Sequence, residues 1–222
     1  MRFTDRYEKP ISYSQMAEYD TCPFKFADRH RMGNKPPERT ASNRGQELHD
    51  KLEEFFTGRS PFPSQDRVLR PWQRLMEGLS LKNPSAEGEV AARKDWSSCG
   101  WWDKDCDKRG KHDLRIYEGD AVDIFDWKSG QIYPDHEKQG ENYCALEPGA
   151  YRIYRTHFAY LDAPLVVHTR EYTRDQVLGM RNKIDAKIEV IRSDLLCAPT
   201  PSSKCYYCHL SYKKGGPCGA AR

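Results

Sequence analysis

Asp126 and Lys128 are the two residues whose types and spacing point most directly to chemistry. They end an apolar segment, residues 121–128, which is rich in β-forming residues and precedes Ser129 and Gly130, so the pattern predicts a buried strand. Because alternate residues of a strand share a face, the two side chains point the same way. A carboxylate that holds a divalent cation and a lysine that steadies an attacking water would use this pair. The alternative is a surface ion pair at a strand end.

Asp113 supplies a second carboxylate one strand upstream. The turn at 118–120 predicts a hairpin, and its register places Asp113 close to opposite Asp126. Two facing carboxylates repel each other, and a sheet tolerates them mainly where a cation lies between them. Exposed acids at the end of a sheet are the alternative explanation.

Gln139 and Tyr143 follow the Asp126 strand in a predicted helix. Residues four apart share a helix face, so the amide and the phenol lie side by side. Beside a metal site, such a pair suits contacts to a phosphate backbone. An ordinary half-buried tyrosine would give the same spacing.

The elements that must position these residues are read from periodicity and turn signals. The expected fold class is α/β, with a mixed sheet wrapped by an N-terminal helical arm. The expected organisation is an arm at 1–84, a core at 85–198 and a cysteine-rich tail at 199–222, all in one compact domain. Helices are predicted at about 12–20, 42–57, 68–79, 135–146, 150–160 and 173–196, and strands at 87–96, 111–117, 121–128 and 165–172.

The composition limits the class of protein. In 222 residues, 36 basic side chains nearly balance 33 acidic ones, so a nucleic-acid surface must be a local patch. No apolar run is long enough to span a bilayer, and no secretory signal opens the chain, so a cytoplasmic location and no membrane partner are expected. Eight cysteines in such a protein favour metal ligation or free thiols over disulfides.

Five short motifs, taken together and in order, resemble the RecB-type nucleases of the PD-(D/E)xK superfamily. The resemblance extends from Ser12 to Cys218 and implies a restriction-endonuclease-like mixed sheet flanked by helices. The motifs are Gly45-x-x-x-His49, the strand acid Glu87, Gly110-x-x-Asp113, Asp126-x-Lys128 and Gln139-x-x-x-Tyr143.

The resemblance also implies residue roles. The metal ligands would be His49, Glu87, Asp113 and Asp126, with the backbone carbonyl of Trp127. Lys128 would orient or activate the water, and Gln139 and Tyr143 would contact the substrate. Oxygen ligands suit Mg²⁺, and one histidine shifts the preference towards Mn²⁺.

Two positions fit the pattern less simply. Glu89 lies two residues after Glu87 on the same strand face and competes for its assignment. His112 stands where the pattern usually has an apolar residue, and it would either loosen the strand or add a ligand.

The tail contains Cys205-x-x-Cys208 and a third cysteine, Cys218. Cys22, in a predicted helix break before a proline, is the best candidate for a fourth ligand. The resemblance extends to the CRISPR adaptation exonuclease branch and related phage exonucleases. It supports a [4Fe-4S] cluster, because several RecB-type nucleases, including the CRISPR adaptation exonuclease, place one cysteine before the fold and three after it. Zinc suits four thiolates equally, and His209 could replace one ligand. The other cysteines are interpreted as structural or free thiols: Cys99, Cys106, Cys144 and Cys197.

The expected function is that of a metal-dependent DNA exonuclease acting on single strands or duplex ends, in recombination, repair or end processing. No phosphate-binding G-x-x-x-x-G-K-[ST] motif occurs, so no fused helicase motor is expected, and a recombination or helicase protein would be a separate partner. The alternatives are a DNA-binding module with a nuclease fold and little activity, or a structure-specific endonuclease.

Overall fold

The computed structural model describes residues 2–37, 43–163 and 165–220. The chain divides into two compact units, one of residues 1–39 with 183–222 and the other of residues 40–182. Ser42, at the predicted start of the second helix, lies outside the described residues. The boundaries expected at 84 and 198 remain a prediction.

A five-stranded sheet forms the centre of the second unit, with the strands in chain order from one edge to the other. The third and fourth strands are parallel, and every other neighbouring pair is antiparallel. The mixed α/β sheet predicted from the sequence is therefore confirmed. The strands are β1 (Ser85–Ala92), β2 (Lys108–Glu118), β3 (Ala121–Lys128), β4 (Ile153–Tyr160) and β5 (Val167–Thr173).

The helix predicted at 150–160 is wrong, because this segment forms β4. The segment begins with Ile153 and carries aromatic and β-branched residues, and its buried and less buried positions alternate along the first half. It pairs in parallel with β3, and the helix formed by Asp135–Leu146 connects the two strands. A parallel partner needs such a long connection, so local sequence does not reveal the pairing.

Five of the six predicted helices form, and those predicted from Ser12 and Thr173 begin at the expected caps. The helix predicted from residue 68 begins five residues later, at Gln73. Ser12 Oγ accepts the Gln15 N–H at 3.4 Å, and Gln15 Oε1 accepts the Ser12 N–H at 2.7 Å, which forms the predicted capping box. The same reciprocal bonds join Thr173 and Gln176. The helices are α1 (Tyr13–Thr21), α2 (Pro23–Phe26), α3 (Asn43–Phe56), α4 (Gln73–Ser80), α5 (Asp135–Leu146) and α6 (Arg174–Ser193).

The core of the second unit lies between the sheet and the helices α3 and α4. Leu52, Trp72, Met76 and Leu114 are fully buried there, and burial of each such side chain stabilises the fold by about 1.5–3 kcal/mol. Helix α5 packs against β2 and β4. The strand end that carries Asp126 is therefore held by a packed interior.

The first unit joins the two ends of the chain. Tyr19 Oη donates to Asp194 Oδ2 at 2.7 Å, and Arg31 Nη2 donates to the backbone carbonyls of Ile191 and Asp194. Helix α1 is thus fixed to the end of α6.

No helix that the structure describes has both the length and the apolar character needed to cross a membrane.

Candidate active site

The β2–β3 hairpin brings the two predicted carboxylates together. Leu114 pairs with Phe125, which is the predicted register, and Asp113 and Asp126 stand immediately beyond this pair. Beyond this pair the Asp113 side chain takes the place of a backbone acceptor, since its Oδ2 accepts the Trp127 N–H at 2.6 Å. This bond fixes one carboxylate next to the strand end that carries the other.

His49 reaches Asp113 from α3. Its Nδ1 lies 3.1 Å from Asp113 Oδ1. Burial disfavours the protonated ring, but the hydrogen bond to Asp113 and the charges of Asp113 and Asp126 outweigh it and raise the pKa of His49. Gly45, one turn earlier, allows this approach, because a Cβ atom there would lie 2.6 Å from Ser129 Oγ.

Asp126 is the most unusual acid of the site. Its side chain is buried, and burial together with the charge of Asp113 raises its pKa. Oδ2 has no hydrogen bond of acceptable geometry among the described residues, although it makes an ion-pair contact with Lys128 Nζ. A buried, under-satisfied carboxylate oxygen close to a second carboxylate fits the requirements of a divalent cation, which takes oxygen ligands.

A line of hydrogen bonds leads from Lys128 into α5. Lys128 Nζ donates to Gln139 Oε1 at 2.8 Å, and Gln139 Nε2 donates to Tyr143 Oη at 2.6 Å. The predicted shared face of Gln139 and Tyr143 is confirmed, as is that of Asp126 and Lys128. Because Tyr143 is buried, this line orients the ammonium group; contact of either residue with substrate remains a prediction.

Two neighbours of Lys128 were missed by the sequence reasoning. His136 Nδ1 lies 2.9 Å from Tyr160 Oη, and burial and the charge of Lys128 lower the pKa of His136. His136 precedes Gln139 by three residues and Tyr143 by seven, so the helical period could have revealed it. Tyr160 lies opposite Lys128 in the β3–β4 register, and the mistaken helix at 150–160 hid it.

Glu87, the strand acid among the predicted metal ligands, contacts a lysine. It has a positive φ of 51°, and its carboxylate pairs with Lys111. Within the described parts of the chain, no three His, Cys, Asp or Glu side chains are grouped so that they could hold a metal ion. The four-residue ligand set therefore remains a prediction, as does the choice between Glu87 and Glu89.

His112 is fully buried, and neither ring nitrogen has a hydrogen-bond partner among the described residues. Its ring meets Tyr143 edge to face at 6.1 Å and fills the space left by Gly88. Burial lowers the pKa of His112 to about 3, and the charge of Arg115 contributes. The ring is thus a neutral packing element, and its nitrogens are unsatisfied.

We expect His112→Leu to stabilise the protein, and to do so more at acid pH. The folded state favours the neutral ring, so its contribution to stability is complete above pH 6.5 and falls as pH drops towards 3. The gain should be about 1–3 kcal/mol at neutral pH from removal of unsatisfied nitrogens, and about 2 kcal/mol more at pH 5. Thermal unfolding at both pH values measures this. His168→Leu, at an exposed position, is the control, and an equal gain at both pH values would contradict the low pKa.

The four cysteines proposed as cluster ligands all belong to the first unit and line one cavity of about 330 Å³. Cys22 lies between α1 and α2, as predicted, and the other three come from the tail. All eight cysteines of the chain are free thiols. Four thiolates are a donor set that zinc and iron–sulfur groups accept, although in this part of the chain, as elsewhere in the described residues, the side chains are not grouped closely enough to hold a metal ion.

Short backbone bonds fold the tail around these thiols. The Cys208 N–H donates to the Cys205 carbonyl at 3.1 Å, and the Cys218 N–H donates to the Leu210 carbonyl at 2.8 Å. Gly216 permits this fold, because a Cβ atom there would lie 2.3 Å from the Leu210 carbonyl carbon. The tail therefore turns back on itself and presents its cysteines to the same cavity as Cys22.

Comparison with known proteins gives one family and two structural likenesses. The model of the PD-(D/E)XK nuclease superfamily matches residues 10–212. A crystal structure from Eubacterium rectale, described provisionally as an exonuclease, has a TM-score of 0.56 and 13% identity, covering 91% of this chain and 88% of that one. The crystal structure of SSO0001 has a TM-score of 0.42 and 14% identity, covering 98% and 89%. No curated protein sequence matches the chain.

Proposed function

The chain belongs to the PD-(D/E)XK nuclease superfamily, and from that premise we propose that it is a divalent-metal-dependent DNA exonuclease. The observation that carries the proposal is the buried Asp126 carboxylate, which has an unsatisfied oxygen and lies beside Asp113 and Lys128. Nucleases of this superfamily generally use divalent metals such as Mg²⁺. The structural likeness to a protein described as an exonuclease is the reason for proposing attack at DNA ends.

The proposed roles follow from the contacts. Asp113 and Asp126 would hold Mg²⁺ or Mn²⁺, with His49 and Glu87 as further ligands. When bound, the ion would lower the pKa of a coordinated water and offset negative charge on the phosphate. Lys128 is held by Gln139 and would fix the position of the water or of a phosphate oxygen. The resulting reaction is hydrolysis of a phosphodiester bond.

We also propose that Cys22, Cys205, Cys208 and Cys218 bind a [4Fe-4S] cluster, with zinc as the alternative. Their common cavity and free thiols support this assignment. Eight free thiols suit a reducing compartment, so we place the protein in the cytoplasm. An exonuclease that consumes DNA ends would serve recombination, repair or end processing.

The test is hydrolysis of three DNA substrates of one sequence: end-labelled linear duplex, linear single strand and covalently closed circle. With Mg²⁺ or Mn²⁺ we expect the linear DNA to be shortened progressively and the circle to survive, and EDTA should stop the reaction. Cleavage of the circle at the same rate would instead indicate an endonuclease. Binding without hydrolysis under every metal condition would indicate a DNA-binding module.

A further inference from the structure

The tail has a charge balance unlike that of the rest of the chain. Residues 199–222 contain no Asp or Glu, although the chain as a whole has 33 acidic residues against 36 basic ones. Lys204, Lys213 and Lys214 lie in this segment and are exposed. Among the described residues, none of these lysines forms a salt bridge. The segment's own charge is therefore positive, which favours an anionic ligand.

Three tyrosines of the same segment are among the most exposed large side chains that the structure describes. Tyr206 is 73% exposed, and Tyr207 and Tyr212 are each 71% exposed. Tyr206 and Tyr207 contact each other edge to face, with ring centroids 4.9 Å apart. Their neighbours Leu210 and Ser211 are buried, so the rings extend from an anchored segment. Such rings add little to folding and offer flat surfaces to a ligand.

We infer that Lys204, Tyr206, Tyr207, Tyr212, Lys213 and Lys214 form a binding surface for a single-stranded polynucleotide, called here the tyrosine–lysine surface. Unpaired bases can stack on aromatic rings, while lysines contact the phosphates. Paired bases are already stacked inside a duplex, so the exposed rings favour a single strand. The inference deepens the proposed function and rests on it in one respect, the choice of DNA as the strand.

The test is binding of a fluorescein-labelled oligothymidylate of about 20 nucleotides, a length that spans one such surface. Fluorescence anisotropy is measured with full-length protein in EDTA, so that cleavage does not interfere. Each of Tyr206→Ala, Tyr207→Ala and Tyr212→Ala should weaken binding by about fivefold or more, because stacking on an aromatic ring is lost. The matching Tyr→Phe variants keep the ring and should stay within about twofold of wild type. Exposed rings contribute little to the fold, and circular dichroism melting checks this.

The lysines are tested through salt dependence. Lys213→Gln with Lys214→Gln should reduce the slope of log affinity against log salt by about 1.4, the amount for two phosphate contacts on a single strand. The control is Lys82→Gln with Lys183→Gln, which removes the same charge outside the tail and should leave the slope unchanged. Blunt duplex of the same length should bind more weakly and should not respond to Tyr→Ala.

The inference is overturned if the Tyr→Ala variants bind the single strand like wild type, or if Tyr→Phe loses as much affinity as Tyr→Ala. Tighter binding to anionic vesicles than to the oligonucleotide would likewise overturn it. The two proposals fail separately. Tyrosine-dependent binding without hydrolysis would remove the nuclease function alone, whereas normal hydrolysis with unaffected tyrosine variants would remove the tyrosine–lysine surface alone.

Discussion

Asp126→Asn is expected to lower the rate of phosphodiester hydrolysis by at least about a thousandfold, while DNA binding survives. The carboxylate is a proposed metal ligand, and an amide of the same shape loses the negative charge that a divalent ion requires. Single-turnover cleavage of end-labelled linear DNA at saturating protein measures the chemical step. Asp113→Asn should have a similar effect, since Asp113 fixes the same site through Trp127.

The matched control is Asp123→Asn on the same strand. Asp123 is also buried, but its Oδ1 lies 2.7 Å from His157 Nε2, and, although burial opposes it, contact with His157 lowers its pKa. It lies outside the proposed site, so its folded fraction should cleave DNA at the wild-type rate. If both variants lost cleavage activity equally, the result would mean that a buried charge on β3 is needed for folding and not for the chemistry.

Although Asp126→Asn lowers the cleavage rate, it should raise the stability of the metal-free protein. The raised pKa means that ionised Asp126 costs stability in metal-free protein as pH rises above the usual carboxyl range. Asparagine removes this cost, so in EDTA Asp126→Asn should melt above wild type at pH 8, and the difference should shrink towards pH 4. Wild-type cleavage rates in Asp126→Asn would rule out the proposed site.

Cys22→Ser is expected to remove the metal group and to open the tail to protease. Anaerobically purified wild type should be brown and contain iron and sulfide, and the variant should be colourless. A link from Cys22 to the tail closes most of the chain into one loop and contributes about 5 kcal/mol in the chain-entropy model. Metal analysis and timed proteolysis measure both effects.

Cys197→Ser is the control for this experiment. Cys197 is buried in the same unit and donates to the Asp194 carbonyl at 3.2 Å, a bond that a serine can also make. It should keep its metal and its resistance to protease. If the wild type is colourless and contains stoichiometric zinc, the metal group is a zinc site with the same ligands. If Cys22→Ser keeps the metal content and the protease resistance of the wild type, the four-cysteine site is refuted.

The parts of the structure that the sequence predicted best are those defined by local signals. Residues 121–128 and 135–146 were predicted with the bounds that the structure shows, because an apolar run before Ser129 and a helical pattern after Pro134 have clear ends. The turn at 118–120 gave the hairpin register, and hence the approach of Asp113 to Asp126. These two carboxylates and Lys128 could therefore be predicted without a structure.

The features that the sequence did not predict depend on contacts between residues distant in the chain. The parallel pairing of β3 with β4 has no local signal in the sequence. Because the pairing was not predicted, the position of Tyr160 beside Lys128 was not predicted either. The bond from Asp113 Oδ2 to the Trp127 N–H interrupts a ladder that strand periodicity would continue. His112 shows the same limit: sequence marked it as unusual, but only its burial shows that it packs as a neutral ring.

The division of the chain has a consequence for its synthesis. Residues 40–182 are contiguous, so this unit can close on itself as it leaves the ribosome. The other unit cannot, because Asp20 meets Lys187, 167 residues later. At about 5–20 residues per second, α1 emerges about 10–30 s before that partner exists. During this interval the apolar side chains of the arm, including Phe26, which is later fully buried, are exposed to chaperones, so the nascent chain passes through a stage with a folded sheet and an unprotected leading segment.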